Sequence, residues 1–401
     1  MRVGTSRTYV VLLALAVLDA TAYSVIGPVL PALSAATGAS TTVLGWLTAS
    51  FPVAMLGGFV LAVPLRRRSA RTPFLVGIGL LALGSLGFVG STQLAVLFPA
   101  RMVMGLGSGV LWIAVTLATL EYWPGSEYVR MSRVYGAYSV GALLGPVLGA
   151  LPGSHRPFVG YVALLLLAAP LVWTMPTAPV RVASVTDWSA LRLRGFWFSA
   201  LAIMFAMLAF GLLDGVLPLH FGTQLTQTQI GLAYAATALL VAVAATGSSR
   251  LRPLVALWLG GVGVVVGVGA AGLSSQVAVW FVALALIGLG AGASETGATG
   301  AQLEAVPTER IATAMVVWSQ VAILGYVVAP AVGAPLADAA GFGAVGLVPL
   351  AVGLLVVVVG VVSAARGRRA GSTGRPLVSV APAGDGNSGA RPAVDPSRSR
   401  P

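Results

Sequence analysis

Long apolar runs constrain this chain more than any other feature. About twenty apolar residues form a helix that crosses a bilayer. Counted this way, the runs fall near 9–30, 42–63, 73–90, 94–117, 132–151 and 157–174, then 196–219, 229–246, 253–273, 277–297, 311–336 and 343–365. Only 8% of the residues are charged and 57% are hydrophobic, where a soluble domain carries about 25% charged residues. No soluble fold of this size could cover itself with so few charges. The expected fold class is an all-α membrane protein with twelve transmembrane helices. Residues 1–8 carry Arg2 and Arg7 ahead of the first run, which is too long for the apolar core of a signal peptide, so it is read as a retained first span.

The placement of arginine sets the expected orientation. There is no lysine, and all 23 basic residues are arginine. Alternate segments hold Arg2 and Arg7; Arg66, Arg67, Arg68 and Arg71; Arg130 and Arg133; Arg181, Arg192 and Arg194; Arg250 and Arg252; Arg310; and Arg366, Arg368 and Arg369. The intervening loops hold Arg156 alone. By the positive-inside rule both termini are expected in the cytoplasm, with the chain in a bacterial inner (cytoplasmic) membrane. The net charge of +12 is thus topological and spread out, and nucleic-acid binding is not expected.

The two halves repeat. Val29-Leu30-Pro31 recurs as Val216-Leu217-Pro218, and Gly105-Leu106-Gly107-Ser108-Gly109 recurs as Gly288-Leu289-Gly290-Ala291-Gly292. Gly141-Ala142-Leu143-Leu144-Gly145-Pro146-Val147-Leu148-Gly149-Ala150 recurs as the stretch from Gly325 to Ala334, with Pro330 matching Pro146, and Arg66 matches Arg250. Such parallel repeats imply a transporter whose halves rock about a central cavity. The expected layout is an N-terminal six-helix bundle over 1–175, a linker over 176–195 along the inner surface, a second bundle over 196–366, and a disordered tail over 367–401 rich in Gly, Pro, Ser and Arg.

The stretch from Gly141 to Ala150 has its own mechanics. Glycines four residues apart bare one helix face, so another backbone can come close in lipid. Pro146 removes one helical hydrogen bond and is expected to bend the span. Gly105, Gly107 and Gly109, with Gly288, Gly290 and Gly292, read as close-contact surfaces before they read as ligand sites.

These residues resemble the major facilitator superfamily, and more narrowly its drug–proton antiporters. Gly141-x-x-x-Gly145-Pro146-x-x-Gly149-Ala150 is similar to the fifth-helix antiporter signature, departing where Ala150 replaces glycine. Leu97-x-x-x-Arg101-x-x-Met104-Gly105-x-Gly107 is similar to the fourth-helix signature, with Met104 where glutamine is common. The resemblance implies a role in proton coupling for its arginine, Arg101. Leu18-Asp19-x-Thr21, followed by Pro28, resembles a first-helix pattern of some exporters. In the loop after the second span the family has Gly, Asp, Arg, Gly, Arg. Val63 falls at the aspartate and Arg66 near the second glycine, so only the arginines match and the charge-relay latch is not carried over. The likeness covers about residues 8–365.

Ionisable groups inside spans are costly and point to function. Asp19 lies roughly 15 Å into the first span, near the midplane, and Arg101 lies roughly 10 Å into the fourth from its outer end. At overlapping depths they are expected to form an ion pair. Burial favours a neutral carboxyl and a neighbouring arginine a charged one, so a carboxylate balanced between them can load and release a proton. Asp214 falls in the outer third of the seventh span, as a contact for incoming substrate or protons or as a water-exposed cap. Glu295, near the inner end of the tenth, reads as a cavity acid or a solvated carboxylate. Asp338, Glu121 and Glu127 are expected to be solvated. Tyr23, Tyr138 and Trp318 are candidates to face the cavity and stack on a ligand.

Other chemistries lack their residues. With no cysteine there is no disulfide, thiolate metal site or thiol catalysis. His155 and His220 lie far apart. Gly105-x-Gly107-x-x-Val110 misses a dinucleotide fingerprint and lies inside a span. No cofactor, metal or enzymatic activity is expected. The expected function is proton-coupled export of small apolar or weakly charged molecules by a monomer. A sugar or metabolite symporter or uniporter, and a non-transporting sensor or scaffold with the same fold, stay open as alternatives.

Overall fold

A computed structural model describes residues 5–123, 127–175, 188–307 and 310–371. Helices account for nearly all of them. The first half holds α1 (Ser6–Ser24), α2 (Ile26–Thr37), α3 (Thr41–Arg68), α4 (Thr72–Gly90), α5 (Leu94–Tyr122), α6 (Glu127–Gly149) and α7 (Arg156–Val172). The second holds α8 (Arg194–Gly215), α9 (Leu217–Phe221), α10 (Gln227–Ser248), α11 (Pro253–Leu273), α12 (Val277–Ala305) and α13 (Ile311–Gly371).

Local chemistry explains where these helices start and break. Thr5 and Ser40 cap α1 and α3, each accepting a backbone N–H from three residues on, and Thr226 and Gln229 form a capping box on α10. Gly38 ends α2 at φ 66°, a left-handed conformation that glycine adopts without steric cost. The α1/α2 break at Val25 precedes Pro28 and Pro31, and the α8/α9 break at Val216 precedes Pro218. Each proline removes a bond to the carbonyl four residues back. Gly341, at φ 79°, interrupts α13. By contrast, α6 runs helical through Pro146.

Among the described residues, nine helical segments are long and apolar enough to cross a membrane. In that count α1 and α2 make one span, as do α8 and α9. The 17-residue α7, the more polar α6 and the part of α13 beyond Gly341 bring the spans to twelve. They form two six-helix repeats, and among the residues up to Leu354 the arginine-bearing ends gather on one face, with Arg66 at Glu121, Arg71 at Met175 and Arg130 at Tyr9. Several helices run past the expected limits on that face, α5 to Tyr122 and α12 to Ala305. Residues up to Leu354 form one compact unit and those from Leu355 a second. Of the expected linker, 176–187 lie outside the described residues, and Trp188–Arg192 form a 3-10 turn. Of the expected tail, 372–401 lie outside them.

The halves meet away from the arginine-bearing face, through two reciprocal contacts. A side chain on Gly231 of α10 would strike the carbonyl of Pro146 and the methyl of Ala150 on α6, both at 2.6 Å. A side chain on Gly45 of α3 would meet the carbonyl of Pro330 and the methyl of Ala334 on α13. Pro146 and Ala150 are the repeat equivalents of Pro330 and Ala334, so one docking geometry is used twice. Polar bonds lock the same side. Gln227 Nε2 donates to the carbonyls of Gly149 and Leu151 at 2.8 Å each, and Thr228 donates to Ala150 at 2.9 Å. Across the other contact, Trp46 donates to the carbonyl of Ala331 and the N–H of Thr42 donates to Asp338 Oδ2 at 2.7 Å. The bonds made between the halves by Thr42, Trp46, Gly153, Gln227 and Thr228 all lie on this side. The conformation is closed on the arginine-poor face.

Candidate functional site

The site forms where the first span breaks. Around Val25, side chains from two other helices donate to carbonyls of α1, and α1 itself donates to a third helix. Arg101 of α5, fully buried, donates from Nη1 to the carbonyl of Ala22 at 2.9 Å and from Nη2 to that of Tyr23 at 3.1 Å. Its guanidinium also lies 4.3 Å from the centre of the Phe51 ring. Tyr161 of α7 donates to the carbonyl of Leu18 at 2.9 Å, and Thr21 donates to the carbonyl of Gly141 on α6 at 3.2 Å. Gly141, Gly145 and Gly149 present their bare faces to Val17, Ser24 and Val25, so α6 backs the break directly. Gly105 and Gly109 likewise meet Phe51 and Met55 of α3, and Gly107 meets Gly77 of α4. In the second half, Gly288 and Gly292 meet α10 and Gly290 meets α11.

The expected Asp19–Arg101 ion pair is not formed. Arg101 spends its two terminal nitrogens on backbone carbonyls, while both oxygens of the buried Asp19 have no hydrogen-bond partner. Ser108 lies beside Asp19, but its hydroxyl is directed at Met55 Sδ at 3.8 Å. The physical reason is the helix break, which offers carbonyl acceptors with the negative partial charge of a helix C-terminus. A planar guanidinium satisfies two of them at once.

Five of the other expected residues sort clearly. Tyr23 stands edge-on to Phe51 and Tyr326, with ring centres at 5.6 and 4.5 Å, and its hydroxyl is buried without a partner. Tyr138 lies within electrostatic reach of Asp19, Asp214 and Glu295. Tyr138, Glu295, Tyr135 and Tyr326 are each half-buried. Asp214 is buried at the α8/α9 break, against Gly27 and Tyr234. Trp318 is buried in an apolar cluster with Ala200, Ile203 and Met207 of α8, its indole N–H unpartnered. The site thus joins Asp19, Tyr23, Arg101, Tyr138, Asp214 and Glu295, with Tyr135, Tyr161, Tyr234 and Tyr326 added.

Glu121 departs from its expected solvation. At the arginine-bearing end of α5 it forms an ion pair with Arg66 of α3 at 2.5 Å, both side chains nearly out of solvent. The carboxylate that the loop after the second span lacks is supplied to Arg66 from the fourth span. Asp338 is exposed as expected, but also bonds the start of α3. The side chain of Glu127 lies outside the described residues. On the arginine-poor face, a recess of about 340 Å³ remains between the halves, lined by Pro31, Ser34, Ala35, Leu219, Thr223 and Phe342 among others.

Two helical repeats, a broken first span and a buried cluster of acids and tyrosines together fit a membrane transporter. The family model of the Major Facilitator Superfamily matches residues 12–275, and the chain belongs to that superfamily. Solved structures are similar in fold at low identity. A bacterial homologue of the human lysosomal transporter Spinster, inward-facing and unoccupied, has TM-score 0.71 at 16% identity, covering 84% of each chain. A D-xylose–proton symporter has TM-score 0.70 at 14% identity, covering 87% of this chain and 96% of its own. A POT family transporter in complex with a thioalcohol-conjugated peptide has TM-score 0.71 at 13% identity, covering 88% and 96%.

Proposed function

We propose that the protein is a proton-coupled exporter of small apolar or weakly charged molecules. In this reading the arginine-rich face lies in the cytoplasm of a bacterium, both termini are inside, and the chain acts as a monomer. The observation that carries it is Asp19, a buried carboxyl without a hydrogen-bond partner, six residues before the helix break at Val25. An isolated carboxylate is costly in such a place. A proton removes the charge, so proton occupancy and the conformation around α1 are thermodynamically linked. Arg101 is a positioning residue that holds the break while Asp19 changes charge. The cavity suits neutral or weakly charged solutes. Its one described cation, Arg101, is fully buried with both terminal nitrogens on carbonyls, so an anion would meet mainly acids and phenols.

The test is proton movement in inside-out vesicles, followed with a pH-sensitive dye over a panel of lipophilic compounds. Export by antiport predicts that a substrate dissipates an imposed gradient in the wild type and fails to do so in Asp19→Asn. If no compound does so while radiolabelled solutes still equilibrate, the protein is a facilitator. Substrate-driven proton flux in the same direction as the solute would establish symport, the mode of the D-xylose–proton symporter of similar fold.

A further inference from the structure

We propose that Asp214 is the proton site of the gate on the arginine-poor face: that face closes when the carboxyl is neutral and opens when it is charged. The inference rests on alternating access, and not on Asp19 or on the direction of export.

The argument begins with the repeat. Gly27 and Asp214 are equivalent positions, two residues before the matched Val29-Leu30-Pro31 and Val216-Leu217-Pro218. In the structure these equivalents touch. A Cβ on Gly27 would lie 3.2 Å from Asp214 Oδ1 and 3.3 Å from the Tyr234 ring. The contact joins α2 to the end of α8, at the closing surface between the halves. Nearby, Gly222 just beyond α9 comes against Pro31. Asp214 is therefore dehydrated by the opposite half, and separation of the halves on this face would expose it to water.

The surroundings do not neutralise a charge here. Among the described residues no ion pair joins Arg101 to Asp214, and both terminal nitrogens of Arg101 are engaged by carbonyls. The other titratable groups in reach are Tyr23, Tyr138, Tyr234 and Tyr326, all phenols. Helix α2 brings no titratable residue. The two breaks also differ. Arg101 holds the carbonyls at the end of α1, while the equivalent residue in α12 is Leu284. The second break is held by an uncharged group instead, Tyr234, which donates to the carbonyl of Leu213 at 2.5 Å.

The sign follows from linkage. Closure removes water from the carboxyl and so favours the protonated form. By reciprocity, protonation favours closure, and rising pH opens the arginine-poor face. A proton taken from that side is then the one that allows that side to close behind it.

The chain has no cysteine, so a spin-label pair can be placed on it cleanly. Ala35→Cys and Thr223→Cys put exposed labels across the recess, one on each half. Distances are read by pulsed electron resonance in nanodiscs without substrate, from about pH 5 to about pH 9, the range open to a desolvated carboxyl. The wild type should go from short to long distances, with the open-to-closed ratio rising by up to about tenfold per pH unit for one linked proton. Asp214→Asn should stay short throughout, and Gly27→Ala, which crowds the closed contact, should open at lower pH. The proposal is overturned if Asp214→Asn keeps the wild-type midpoint and amplitude. It is also overturned if the distances follow sodium at fixed pH. Should Asp214→Asn not fold, an unmoved midpoint in Gly27→Ala overturns it as well. No transport is measured, so a failure of the export reading leaves this result intact.

Discussion

The reciprocal glycine contacts make a quantitative claim about which conformation the protein prefers. Gly231→Ala adds one methyl to α10 at a point where the carbonyl of Pro146 and the methyl of Ala150 each lie 2.6 Å away. Both obstacles belong to the backbone or sit one bond from it, so neither can swing aside. Overpacking of this kind costs about 1–3 kcal/mol, and the cost falls on the closed state alone if the two helix ends on this face separate on opening. The open-to-closed ratio should then rise by about 5–150-fold. A single cysteine at Thr41, in the recess between the halves, reports this ratio through its rate of alkylation by a membrane-impermeant maleimide. Thermal stability is a poor readout, because alanine also raises helix propensity by about 1 kcal/mol over glycine. Gly247→Ala on the same helix provides the control, since nothing lies within 4 Å of its added methyl. Equal alkylation rates in the two variants would refute the claim that α10 and α6 form the closing contact.

Two further outcomes follow from charged groups. Breaking the Arg66–Glu121 pair strands a charge that is nearly out of solvent, so Glu121→Gln should cost about 3–5 kcal/mol and lower the melting temperature in detergent. The double change Arg66→Met with Glu121→Leu should recover most of that loss. Arg101→Lys keeps the charge but cannot reach two carbonyls in one plane. Losing one charged hydrogen bond costs about 1.5–3 kcal/mol, and solute flux should fall by about tenfold or more; flux within twofold of wild type would show that the break at Val25 holds itself.

Much of the architecture was legible because lipid enforces it. Run length fixes the spans, and the repeated Gly and Pro positions mark where backbones touch, as at Gly141 against Val17 and Gly105 against Phe51. Helix ends were less legible, since α5 continues to Tyr122 through polar residues that hydropathy discards. That extension carries Glu121 to Arg66, a pairing of residues 55 apart that no local pattern announces. The Asp19–Arg101 pair was inferred from depth and charge alone. Depth gives no azimuth, and the carbonyls freed at Val25 compete for the guanidinium. Tyr326 was hidden for another reason: it stands inside the repeat of the fifth-span signature, where the equivalent residue is Ala142 and the glycines draw attention. Its ring meets Tyr23 of the other half.

The repeat is kept in the contacts and broken in the charges. Glycines and prolines recur at equivalent positions because one rotation must open and close both reciprocal surfaces, and unequal contacts would not release together. Charges inside the spans do not recur, although Arg66 at a helix end matches Arg250: Asp19 matches Ala206, Arg101 matches Leu284, Glu295 matches Trp112 and Asp214 matches Gly27. Near the pseudo-symmetry axis the reason is electrostatic. Equivalent residues there face each other, and a second acid at position 27 would place two carboxyls against one another in a dehydrated contact. Two such groups cannot both ionise. Gly27→Asp should therefore hold the arginine-poor face open at neutral pH and allow closure only as acid neutralises the pair. Gly27→Asn has nearly the same bulk without the charge, and the difference between the two variants isolates the electrostatic part. Alkylation at Thr41→Cys measures it directly. If the Asp and Asn variants react at equal rates across the pH range, crowding alone governs this contact, and the asymmetry of charge needs another cause.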